Sequence, residues 1–183
     1  MNSAIRAFNN EMVPLGVHSQ KINNKQFIVA LIANGKGSYI KVFHEPSNRT
    51  ATLATGFTDP AHRGKGVGAA LRAQAMRILY TSGYKKVTHL GLNIENIAPG
   101  NYPVSTKIVR GRLGFKINPN RPHEPVNAPK KGHGFYYSVW TPSTNTIRQL
   151  ANAIVYGKSK LTNFKTGKNL SFNGNVRKYI KKK

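Results

Sequence analysis

The chain has no cysteine, which excludes disulfides and thiolate metal sites and suits a reducing compartment. Acids are almost as scarce: five Asp and Glu stand against 29 Lys and Arg, a formal charge of +24 over 183 residues. After Glu124 there is no acid at all, although Lys130, Lys131, Arg148 and a run of basic residues over 158–183 follow. No apolar run approaches the roughly 20 residues that a spanning helix needs. The first residues also lack the apolar core of a signal peptide, so a cytoplasmic location is expected. Six histidines without HxxH-like spacing, and so few carboxylates, give no metal site. No internal repeat is evident, and the length suits one domain with a sizeable core.

What the sequence does have is a strand, a tight glycine loop and a long helix over residues 50–81. Residues 50–58 alternate β-branched and apolar types, as a half-buried strand does. Asp59-Pro60 ends it, because proline cannot donate to a ladder. Arg63-Gly64-Lys65-Gly66-Val67-Gly68 comes next, and then a helical pattern with Val67, Leu71, Ala75 and Ile78 on one face and Arg72 and Arg77 off it. Glycines let backbone approach a ligand, and the first N–H groups of a helix have no internal acceptor. With the positive end of the helix dipole they form a site for a pyrophosphate. Neither a Walker lysine nor the acidic ribose ligand of a dinucleotide fold is present.

Asp59-Pro60-Ala61-His62-Arg63-Gly64-Lys65-Gly66-Val67-Gly68-Ala69-Ala70-Leu71 resembles the acetyl-CoA-binding signature of the GCN5-related (GNAT) N-acetyltransferases, whose Arg/Gln-x-x-Gly-x-Gly/Ala core is matched by Arg63, Gly66 and Gly68. Leu113-Gly114-Phe115-Lys116 resembles the family's late LGF turn. The resemblance implies an α/β (α+β) fold: a mixed, mainly antiparallel sheet with flanking helices. It implies acetyl-CoA as co-substrate, held by Phe57, Thr58, Arg63, Gly64, Lys65, Gly66, Val67, Gly68 and Ala69. It also implies that the strand of residues 50–58 and the next one lie parallel and splay apart, with pantetheine in the gap near Phe57 and Thr58.

The remaining pattern fits that outline. Residues 2–8 read as a short strand and 9–24 as irregular, too short for the two helices the family usually has there. Residues 26–33 and 38–44 read as a hairpin about Asn34-Gly35-Lys36-Gly37, and 85–94 as a strand after a Ser82-Gly83 helix stop. A helix over 101–113, a proline-rich loop over 118–134 and an aromatic strand over 135–140 follow. Residues 1–140 therefore read as the GNAT-like domain, and 141–157 as an amphipathic helix packed on the domain or a partner, with Ile147, Leu150, Ala151, Ile154 and Val155 in one stripe and Gly157 at its end. Residues 158–183 read as a basic, extended tail.

Acetyl transfer needs an uncharged amine, yet a lysine-like acceptor has a pKa of about 10.4 and must shed a proton. The family's usual glutamate is missing from residues 50–58, leaving Asp59 and Glu95 as candidate bases, with turn-forming and capping as their plainer roles. His89 reads as a packed strand histidine and His62 as an exposed residue or phosphate neighbour. The register of the family's acidic tyrosine holds Arg110, with Tyr84 and Tyr102 as possible substitutes. Two functions stay open: an acetyl-CoA-dependent N-acetyltransferase, or a catalytically degenerate relative serving in a virion or ribonucleoprotein particle. In either, Lys158, Lys160, Lys165, Lys168, Arg177, Lys178, Lys181, Lys182 and Lys183 are expected to bind RNA or DNA, or an acidic protein, with Phe164, Phe172 and Tyr179 interleaved for stacking.

Overall fold

Period-two runs become strands and period-3.6 runs become helices along most of the chain, and the computed structural model describes residues 1–33, 35–93, 104–120, 123–125 and 134–162. The strands are β1 Val17–Asn23, β2 Gln26–Ala33, β3 Lys36–Glu45, β4 Thr50–Phe57, β5 Lys86–Asn93, β6 Lys116–Ile117, β7 His123–Pro125 and β8 Gly134–Trp140. They form one sheet in the order β1-β2-β3-β4-β5-β8-β6, with β7 also on β8. Among these strands β4 and β5 pair parallel, and the other pairs are antiparallel. The helices are α1 Asn2–Met12, α2 Val67–Thr81, α3 Val104–Leu113 and α4 Thr144–Thr162. Among the described residues no helix is long and apolar enough to cross a membrane.

Alternate strand residues meet all four helices in one core. Phe27, Val29 and Leu31 of β2, Ile40 and Val42 of β3, Leu53 of β4 and Val87 of β5 pack with Phe8, Met12, Leu71, Ile78, Val109 and Leu150. Dry burial of this kind contributes about 1.5–3 kcal/mol per large side chain.

Three expectations are corrected. Residues 2–8 are helical, not a strand: Ala4, Ile5, Phe8 and Met12 recur at three- and four-residue steps, and that stripe is buried. The interval read as irregular holds β1 after a turn at Gly16, whose φ of 78° suits glycine. Asn9 of α1 closes the outer edge of β1, donating to Ser19 O and accepting from Ser19 N, both at 2.8 Å. The interval 9–24 thus holds the end of α1 and the strand β1, and not two helices. Third, α4 does not stop at Gly157 but runs on to Thr162, with Ser143 Oγ accepting from Thr146 N at its start. A methyl group at Gly157 would lie 3.1 Å from Ala70 Cα, so this glycine serves close helix approach rather than termination. The inward stripe is Thr146, Leu150, Ala153, Gly157 and Leu161, leaving Ala151 and Val155 exposed.

Candidate functional site

The sheet has a break in it. β4 pairs with β5 only from Thr50 opposite Lys86 to Leu53 opposite His89. Beyond that point β4 stays on β3, as far as Phe57 opposite Tyr39, and β5 stays on β8, as far as Asn93 opposite Gly134. A register shift between Ile40 and Val42 marks a bulge in this part of the β3–β4 ladder, as bulges commonly re-aim a strand beside a site. The inner edges of two strands therefore face a gap, and Gly56 lies on its rim.

The glycine loop stands at the mouth of that gap. Asp59 caps the one-turn 3-10 helix Pro60–His62, its Oδ1 accepting from Ala61 N at 2.9 Å, while Ser38 Oγ accepts from Asp59 N. Arg63 Nε donates to Thr58 O and Lys65 Nζ to Ala61 O, which ties both cations to the loop. Gly64 and Gly66 have φ of 71° and 80°, a region that costs other residues about 1–2 kcal/mol. Gly66 is the N-cap of α2, and no side chain caps the helix. The N–H groups of Val67, Gly68 and Ala69 therefore lack helical acceptors and are directed outward along the dipole.

Two further elements reach the loop, and nothing in the spacing of the sequence hints at either. A methyl group at Gly66 would lie 3.4 Å from Lys160 Cγ and 3.6 Å from Tyr156 Oη of α4. Arg112 of α3 stands 4.5 Å, and Lys160 Nζ 5.2 Å, from the centre of the Tyr156 ring. Lys160, expected in a free tail, is thus a neighbour of the glycine loop. Lys158 is also tied to the domain, in an ion pair of 2.8 Å with Glu11, which Arg77 pairs as well. Lys165, Lys168, Arg177, Lys178 and Lys181 to Lys183 lie outside the described residues, as do Glu95 and Tyr102.

The reading of Arg72 as off the buried face is wrong. Its residue is only 9 % exposed, and its side chain lies under the strand break. Nη1 donates to Gly68 O at 2.9 Å, and a methyl group at Gly56 would sit 2.7 Å from Nη2. Nε has no partner. Burial lowers its pKa from 12.5 to about 10, which leaves it cationic at neutral pH. Alone on a helix, an arginine looks like solvent face; only the glycines at 56 and 68, which make room for it, hint otherwise.

Beside Arg72 lie further polar groups. His89 is buried as expected; desolvation first, then Arg72 and Arg110, brings its pKa down to about 3, so it is neutral. Its Nδ1 and the Thr106 hydroxyl of α3 are buried without partners. A side chain on Gly91 would overlap that hydroxyl. Arg110, in the register of the family's tyrosine, donates to Ser138 Oγ at 2.8 Å and Tyr137 O at 3.3 Å. Tyr84 is no substitute acid: it meets His44 Nδ1 at 2.6 Å, just before β5 and at the closed end of the parallel ladder. His62 is buried, not exposed, with Nδ1 2.7 Å from Ser38 Oγ. Among the described residues no group of three or more metal-ligating side chains converges.

No family model matches the sequence, and no curated protein matches it. Solved structures do match its fold. An aminoglycoside 6'-N-acetyltransferase complexed with coenzyme A is 14 % identical, with a TM-score of 0.50, over 67 % of this chain and 77 % of that one. The ribosomal-protein-S18-alanine N-acetyltransferase from Escherichia coli is 17 % identical, with a TM-score of 0.51, over 67 % and 72 %. A chimera of the spermidine N-acetyltransferase from Vibrio cholerae is 14 % identical, with a TM-score of 0.52, over 82 % and 83 %. Identities this low speak to architecture. The broken mixed sheet, the glycine loop opening α2 and these likenesses together show that the chain has the fold of the GNAT N-acetyltransferases.

Proposed function

We propose that the chain is an acyltransferase that takes acetyl-CoA as donor and passes the acetyl group to an amine. The observation that carries this reading is the uncapped N-terminus of α2 behind Gly64 and Gly66, set at the mouth of the β4–β5 gap. Val67, Gly68 and Ala69 offer their N–H groups to a pyrophosphate, and Arg63 and Lys65 supply charge. Phe57 and Thr58 flank the open edge of β4, where backbone groups are available to an extended pantetheine arm. Within the loop, a methyl group at Gly64 would meet nothing within 4 Å, and that open space fits close approach of a ligand to backbone. The aminoglycoside acetyltransferase of the same fold that holds coenzyme A supports the donor assignment.

The acceptor must lose a proton, and Asp59 has its Oδ1 engaged in capping the loop. No carboxylate lies on β4. Deprotonation then falls to water or to Glu95, and rates rise with pH as the amine itself deprotonates. Calorimetric titration with acetyl-CoA and CoA, followed by an acetylation assay over a panel of amines, tests the reading. Micromolar binding and amine-dependent release of CoA are expected; a folded protein that binds neither nucleotide overturns it.

The charge of +24 supports a second property, attachment to a nucleic acid through the basic C-terminal residues. Lys158 and Lys160 are left out of that surface in this reading, because Lys158 pairs with Glu11 and Lys160 packs beside Gly66 and over the Tyr156 ring.

A further inference from the structure

Arg72 poses a physical problem that the glycine loop does not answer. A guanidinium with five donors is held under Gly56 and Gly68, where the Gly68 carbonyl accepts from Nη1 and the buried Nε has no acceptor. No carboxylate among the described residues forms an ion pair with it: Glu11 is held by Arg77 and Lys158, Glu45 by Lys25, and Asp59 caps the loop. Burying a charge in this way is costly unless something of opposite sign completes it. The other groups packed nearby worsen the balance. His89 on β5 is neutral, and Arg110 on α3 is a second guanidinium; Arg63, Lys65 and Lys160 stand around the loop above, and His62 is held by Ser38. The cation sits where β4 has left β5, beside the stretch in which the inner edges of these two strands no longer pair with each other.

We propose that Arg72 takes up the negative charge that leaves on the donor's sulfur, doing by electrostatics what a proton-donating side chain would otherwise do. This rests on the acyltransferase reading above. In that reaction the amine nitrogen attacks the thioester carbonyl carbon, a C–N bond forms and the C–S bond breaks. The electron pair goes to sulfur, the amine's surplus proton goes to water, and the thiolate later takes a proton from solvent. A fixed cation in a water-poor site stabilises such developing charge without reorganising. The geometry favours Arg72 over Arg110 for the part, because Arg110 is turned to Ser138 and the Tyr137 carbonyl of β8. It also accounts for an arginine buried on a helix whose other inward residues include Val67, Leu71, Ala75 and Ile78.

The test reads the sulfur directly. CoA is bound to the wild-type protein, and its thiol is titrated by the ultraviolet absorbance of the thiolate. An ordinary thiol titrates near 8.5; in the complex the midpoint should fall by at least about one unit, roughly tenfold more thiolate below the midpoint. Arg72→Met should return the midpoint to that of free CoA, and Arg72→Lys should keep part of the shift. Lys160→Met should alter CoA affinity without moving the midpoint. With acetyl-CoA and an amine, Arg72→Met should lose on the order of 10²-fold in kcat with a smaller change in KM. A purely structural Arg72 would lower the melting temperature and leave the thiol titration where it was. If wild type binds CoA but its thiol titrates as in free CoA, the inference is overturned and the acyltransferase reading stands. If wild type binds no CoA, both fall. The wild-type titration decides even where Arg72→Met does not fold.

Discussion

Gly66 allows strain and charge to be separated at one position. It is the N-cap of α2 with φ of 80°, and a side chain there would point toward Lys160 Cγ and Tyr156 Oη at 3.4 and 3.6 Å, ordinary contact distances. Gly66→Ala therefore adds backbone strain without a clash, about 1–2 kcal/mol. For a chain of this length that lowers Tm by roughly 2–8 °C. Gly66→Glu adds the same strain and a carboxylate beside the N–H groups proposed to receive the pyrophosphate. At an effective dielectric of about 20, two unit charges 4 Å apart interact by about 4 kcal/mol; exposure of the loop reduces this to about 2–4 kcal/mol against a doubly charged ligand. At 1.4 kcal/mol per decade, Kd for CoA should rise about 30- to 700-fold in Gly66→Glu and less than about fivefold in Gly66→Ala. Isothermal calorimetry at two salt concentrations measures both, and circular dichroism confirms folding. Equal losses in the two variants would show that loop shape, not charge, had been disturbed; wild-type affinity in folded Gly66→Glu would remove the loop from the site altogether.

Other parts of the fold make separate predictions. Glu11 has a pKa lowered from 4.5 to about 2, first by Arg77 and then by Lys158, so its stabilisation is present above about 4.3 and lost as pH falls toward 2. Because its side chain is 34 % exposed, the effect is discounted to about 1–2 kcal/mol; Glu11→Gln should lower Tm by roughly 2–8 °C at pH 7 and scarcely at all at pH 2, by calorimetry. Gly157→Leu forces α4 off Ala70 and should cost about 1–3 kcal/mol in urea unfolding, weakening CoA binding as Tyr156 and Lys160 leave Gly66. Truncation after Thr162 should leave CoA affinity unchanged and flatten the salt dependence of nucleic-acid binding by about 0.7–0.9 for each phosphate that is no longer neutralised; equal slopes with and without the segment would refute its role.

Elements with strong local signals were legible in the sequence: the hairpin of β2 and β3, the Asp59-Pro60 break, the glycine loop, α2 and the parallel β5. Local ambiguity explains the misses near the ends. Ile5 and Ala7 satisfy a period of two, but Ala4, Ile5, Phe8 and Met12 satisfy 3.6, and packing on the sheet decided for the helix. Gly157 looked like a helix stop because glycine usually is one; its use against Ala70 depends on a neighbour 87 positions away. The site was half legible for the same reason. Backbone chemistry at residues 63–68 is local and carries its own signature, whereas Arg72 under Gly56 and Lys160 over Gly66 exist only once distant elements are brought together.

The break between β4 and β5 has a mechanical consequence. The strands of residues 17–57 and those of residues 86–140 form two half-sheets, joined along a spine only four register pairs long. So short a spine resists torsion poorly, and the angle between the leaves must be fixed elsewhere. The brace is α4: it follows the second leaf in sequence, yet it seats Gly157 on Ala70 of the connecting helix and Lys158 on Glu11 of α1, ahead of the first leaf. The last described helix and the first are thereby clasped across α2. The clearance between the leaves, and with it the position of Gly56 relative to Gly91, is thereby coupled to a contact made more than 60 positions beyond the strands that border it.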